Sequence, residues 1–128
     1  MDNWKEDLRE IAKLVTGAST ATCKGDFIAL AKDAGGAPES WRDAVFIWAK
    51  SHGVIADTWR NQIIGISLKL LPEWPPLTWR RALRFIMLHY RGTPPQVFFF
   101  LSDPPRVSDS EYRVLADGVI QAHQIIFA

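Results

Sequence analysis

Apolar residues recur at helical spacing along most of the chain. Trp4, Leu8, Ile11 and Val15 fall at i, i+4, i+7 and i+11, which predicts one amphipathic helix over residues 2–15. Lys5, Glu6, Arg9 and Lys13 take the other side, and Gly17 follows as a stop. Residues 17–25 are small and polar and read as a loop. Asp26 is placed to cap a short helix that carries Phe27, Ile28 and Leu30 and ends at Gly35-Gly36. The next segment opens at Pro38, whose missing N–H suits a first helical turn, and closes at Gly53. Its stripe is Trp41, Ala44, Val45 and Trp48, with Phe46 and Ile47 off the stripe. A helix from Asp57 or Thr58 to just before Pro72 has one face of Trp59, Ile63, Ile66 and Leu70 and a second of Ile64, Leu68 and Leu71. Two apolar faces predict neighbours on both sides.

Pro75-Pro76 opens a fourth long segment that runs to Gly92, with Trp79, Leu83, Ile86 and Tyr90 in line. Thr93 and Gln96 have the spacing of a capping box, which favours a short helix over a strand for the run Val97 to Leu101. Ser108 and Glu111 repeat that spacing before a last stripe of Tyr112, Leu115, Val119 and Ile126. The expected fold is therefore all-α: a compact helical bundle, or a short stack of helical hairpins, of six or seven helices in a single domain over residues 1–128. Trp41, Trp48, Trp59, Trp79, Ile63, Ile66 and Leu83 are the expected core.

The segment Pro38-Glu39-Ser40-Trp41-Arg42-Asp43-Ala44-Val45 matches Pro76-Leu77-Thr78-Trp79-Arg80-Arg81-Ala82-Leu83 at an offset of 38 residues, and Thr58-Trp59-Arg60 echoes both. Stacked helix pairs of the HEAT type would give such an offset. So would convergent capping, which is the preferred reading because stable arrays generally need three or more repeats.

Composition narrows the class. At 128 residues the chain is long enough to bury a core without disulfides or metal, and six Trp stand out. The formal charge is +1, which does not mark the chain as a whole for nucleic acid or anionic membrane. The lone Cys23 excludes an intrachain disulfide, the N-terminus is too polar for a signal peptide, and no apolar run approaches a membrane span. A cytoplasmic protein is the expectation.

No catalytic or metal signature emerges. His52, His89 and His123 are not at helical spacing from another His or Cys, and each reads as structural. The loop from Gly17 to Gly25 has Lys24 preceded by Cys23 and followed by Gly25, so it is not a phosphate loop. No cofactor is implied. The best functional signal is a row of arginines. Arg80, Arg84 and Arg91 fall within about 40° around one helix, span about 16 Å and have Arg81 beside them. Such a row grips an acidic protein surface or phosphates, and a solvated face kept charged for solubility reads the same way. The reading is a non-catalytic protein-binding module, an inhibitor, adaptor or immunity-type protein, that contacts another protein through this Arg-rich face. The alternative is a nucleic-acid-binding protein that touches phosphates with the same arginines.

Overall fold

A computed structural model describes residues 3–93. Among these residues the chain forms five helices and no strand: α1 Trp4–Thr16, α2 Cys23–Asp33, α3 Trp41–Ser51, α4 Trp59–Leu70 and α5 Trp79–Arg91. Six or seven were expected over the whole chain. The two expected after residue 93 lie outside the described residues.

All five helices start in the same way. The side chains of Asn3, Thr22, Ser40, Thr58 and Thr78 each accept a hydrogen bond from the backbone N–H three residues on, which satisfies a donor the helix itself leaves open. Thr22, not Asp26, is the cap of α2; Asp26 is buried one turn in and accepts from the Thr20 N–H and hydroxyl. Pro38 and Pro76 each lie two residues before a cap rather than in the first turn.

The connections decide the topology. Helices of 11 to 13 residues are about 16–20 Å long at 1.5 Å per residue. The linkers 17–22, 34–40, 52–58 and 71–78, if extended, reach about as far, at roughly 3.3 Å per residue. Each linker can thus carry the chain back along the helix it has just left. The first residues of all five helices meet at one end, where Trp4, Cys23, Trp41, Trp59 and Trp79 line a common cavity. Neighbours pack in the order α1, α2, α3, α4, α5, and α5 packs against α1. The result is a closed ring of five parallel helices. This is the compact all-α bundle of the expectation; its alternative, a stack of hairpins, would have made consecutive helices run antiparallel.

The repeat is correspondingly finer than the 38-residue offset. Helix starts are 19, 18, 18 and 20 residues apart, one helix and one return segment per unit. The fifth position of each helix (Leu8, Phe27, Val45, Ile63, Leu83) and the eighth (Ile11, Leu30, Trp48, Ile66, Ile86) are buried and form the core. Equivalent joints are filled in complementary ways. Gly36, in the segment after α2, lies against Ile47 of α3, so closely that a Cβ would clash. One unit later Val54, whose N–H bonds the Ala49 carbonyl, lies against Gly65 of α4 just as tightly. Large and small have exchanged places while the joint keeps its volume, as close packing requires.

Charge closes the ring. Arg84 Nε donates to Asp7 Oδ2 at 2.9 Å between α5 and α1, with the two side chains 19% and 6% exposed. Arg91 and Glu10 pair across the same seam at 3.4 Å, nearer solvent.

Candidate binding site

The five helix starts repeat one triplet of cap, large side chain and cation: Asn3-Trp4-Lys5, Thr22-Cys23-Lys24, Ser40-Trp41-Arg42, Thr58-Trp59-Arg60 and Thr78-Trp79-Arg80. The cap side chain turns the backbone into the helix. The next residue faces the ring, because the first, fifth and eighth positions share a stripe. The third member falls about 100° further round and reaches solvent. Hence Trp4, Cys23, Trp41, Trp59 and Trp79 are all half-buried, and Lys5, Lys24, Arg42, Arg60 and Arg80 are all exposed.

The indoles form a relay of edge-to-face contacts. Trp41 meets Trp59 at 5.3 Å between ring centroids, Trp59 meets Trp79 at 4.9 Å, and Trp79 meets Trp4 at 5.1 Å. Phe27 stands beside Trp41 at 6.0 Å. The cations lie over their own indoles: Lys5, Arg42, Arg60 and Arg80 sit 4.5–5.7 Å from the centroids of Trp4, Trp41, Trp59 and Trp79. Together these groups enclose a cavity of about 470 Å³ lined by Trp4, Lys5, Cys23, Lys24, Phe27, Trp41, Trp59, Arg60 and Trp79. A neighbouring cavity of about 380 Å³ between the starts of α1 and α2 shares Lys5 and Cys23 with it.

The electrostatics of this crown follow the ordinary rule only in part. A helix N-terminus carries a partial positive charge and favours acidic neighbours. Here each helix has a cation at its second residue, and α4 and α5 have no acidic residue in the first turn. In α1, α2 and α3 the first-turn acids Glu6, Asp7, Asp26 and Asp43 accompany the cation, so the excess of positive charge lies at the starts of α4 and α5. The opposite end follows the rule: Lys13, Lys32, Lys50, Lys69, His89 and Arg91 occupy the last turns. There burial, and then nearby His89, lower the pKa of His52. Burial, and then Asp33, raise that of Tyr90.

The four arginines of the sequence reading do not form one open row. Arg80 is exposed in the crown, and Arg81 is half-buried beside it at the third position of α5. Arg84 and Arg91 are engaged by Asp7 and Glu10. The tryptophans also divide. Trp48 is core, at 2% exposure, while Trp41, Trp59 and Trp79, expected to be largely buried with it, are partly buried and pack against the core from its rim. Lys5, Lys24, Arg42 and Arg60 were not singled out by pattern. Their signal was the Trp-Arg echo at three helix starts, which extends to five once Asn3-Trp4-Lys5 and Thr22-Cys23-Lys24 are aligned with it.

Among the described residues no group of three or more His, Cys, Asp or Glu side chains comes together to hold a metal, and no helix is long and apolar enough to cross a membrane. No protein-family model, curated protein or solved structure matches this chain.

Proposed function

We propose that the chain is a non-catalytic protein-binding module whose crown receives an acidic segment of another protein. The observation that carries this reading is the indole-lined cavity bordered by the exposed cations Lys5, Lys24 and Arg60, with Arg42 and Arg80 exposed at the other two helix starts. Its volume, about 470 Å³, falls within the roughly 300–1,000 Å³ typical of small-ligand sites, enough for one or two large side chains. Buried Trp and Arg anchors dominate the energetics of protein interfaces, and a polar rim completes them. Carboxylates on the incoming segment would meet Lys5, Lys24, Arg42, Arg60 and Arg80, with Arg81 beside them. The Arg-rich face of α5 thus contributes through its N-terminal end, while Arg84 and Arg91 hold α5 to α1.

Nucleic acid fits this arrangement less well. Bases stack on open aromatic faces set along a track. Here the indoles meet edge to face, Lys5, Arg42, Arg60 and Arg80 lie over them, and the cations are gathered at one opening.

The test is selection from a displayed library of acidic peptides that each carry one large apolar residue. The full chain should enrich a family of sequences, and the double variant Arg60→Glu/Arg80→Glu should fold and lose them. Retention of the same peptides by that variant would refute the reading. Oligonucleotide binding in their place, with affinity falling steeply and log-linearly with salt, would transfer the site to nucleic acid.

A further inference from the structure

We infer that the cavity is the vacant place of a fifth indole, which the partner fills with a tryptophan side chain flanked by carboxylates. The inference rests on the protein-binding reading and specifies its ligand. Four of the five equivalent helix starts present Trp, and the fifth presents Cys23. In ring order Cys23 lies between Trp4 and Trp41, because α2 packs between α1 and α3. Trp59 and Trp79 each have two indole neighbours. Among the described residues Trp4 and Trp41, which flank Cys23, have one each. The relay therefore breaks where a thiol replaces an indole, and both cavities border Cys23. A thiol is far smaller than an indole, so the repeat itself explains the space.

The shape and chemistry of the gap select its occupant. Its walls are aromatic on both sides, with Phe27 behind, and aromatic pairs prefer the edge-to-face geometry that the other members of the ring already adopt. An entering indole would renew those contacts with Trp4 and Trp41. Lys5, at the start of the flanking helix α1, and Lys24, next to Cys23 on α2, line this cavity and suit carboxylates next to the entering side chain, while Glu6 and Asp26 line only the neighbouring cavity. A second copy of the crown is a poor occupant, since two cationic rims would face each other.

The minimal probe is fluorinated N-acetyl-tryptophan, an indole with one carboxylate, added to the full chain and followed by fluorine NMR. It should bind about tenfold more tightly than N-acetyl-leucine, the difference expected of an added aromatic pairing, and more tightly than its own neutral amide. Because Cys23 is the only cysteine, its alkylation rate reports the gap directly and should fall severalfold in the presence of the probe. Cys23→Trp should fill the gap and abolish probe binding; if that variant fails to fold, protection of Cys23 in the unaltered chain decides the matter. Unchanged alkylation at millimolar probe overturns the inference, as does a folded Cys23→Trp chain that binds the probe normally. Acidic peptides with a central Leu that bind as well as those with a central Trp would remove this inference and leave the protein-binding reading standing. Failure of both peptide types would remove the two together.

Discussion

The two ends of the helix ring are built from the same five helices and distribute charge differently. At the C-terminal end, basic residues in the last turns complement the helix dipoles. At α3 and α5, Gly53 and Gly92 take positive φ, where their N–H groups bond the carbonyls of Lys50 and His89 and end the helix. Local preference and fold agree there. At the N-terminal end, every helix has an exposed cation at its second residue, balanced by first-turn acids in α1, α2 and α3 but not in α4 and α5, and four large indoles stay half-buried around a cavity. Places where local rules are broken in a consistent way across several elements are where function is to be sought.

The largest effect concerns the two kinds of tryptophan. Trp48→Ala, inside the core, should destabilise the protein by about 3–5 kcal/mol in urea unfolding. Trp59→Ala, at the rim, should cost less than half as much and yet abolish binding of acidic peptides. Equal losses of stability would place Trp59 in the core after all and weaken the distinction between crown and interior.

The seam between α5 and α1 comes next. Asp7→Ala strips the partly buried Arg84 of its carboxylate and should cost about 3 kcal/mol. Glu10→Ala removes a more exposed pair and should cost under about 1 kcal/mol. A reversed order would show that the closure of the ring depends on something other than the Asp7 contact.

Charge reversal reads the two ends directly. Lys50→Glu puts an acid at a C-terminus and should cost about 0.5 kcal/mol. Arg60→Glu puts one at an N-terminus, where relief of the dipole offsets the lost cation–π contact, and should leave stability within about 0.5 kcal/mol of the parent. If Arg60→Glu proved the more damaging change, the cations would be structural, and the case for a binding crown would fail.

The smallest effect is one of pH. Because the pKa of His52 is lowered on folding, the unfolded chain takes up a proton before the folded one does. His52 therefore favours the folded state fully above its ordinary value of about 6.5, and this contribution is lost as pH falls through the lowered folded value. His52→Gln should flatten that part of the stability profile in denaturant melts taken across the range. An unchanged slope would assign it to other groups.

Individual helices were legible because period, cap and stop are local. The stripe from Trp4 to Val15 and the Gly17 stop delimit α1 with no knowledge of its neighbours. The cap of α2 was misread because Asp26 and Thr22 are both acceptable caps, and only the fold shows Asp26 buried and bonded to Thr20. The Trp residues were read as core because an apolar stripe records which way a side chain faces and not how far along the bundle it sits. Trp41 and Trp48 share one stripe of α3, yet one lies at the rim and the other in the interior.

What the sequence determined by itself is the all-helical unit: a capped start, buried fifth and eighth positions, and a polar outer face, repeated every 18 to 20 residues. These follow from hydrogen bonds and side-chain spacing within a single helix. Tertiary structure alone decided that the units run parallel and close into a ring, since linkers long enough to return the chain are equally long enough for other paths. From that closure everything at the candidate site follows. Parallel packing gathers five cations and four indoles at one end, ties up Arg84 and Arg91 at the seam, and sets Cys23 between two tryptophans. None of these contacts joins residues within one helix, so no local pattern could have encoded them.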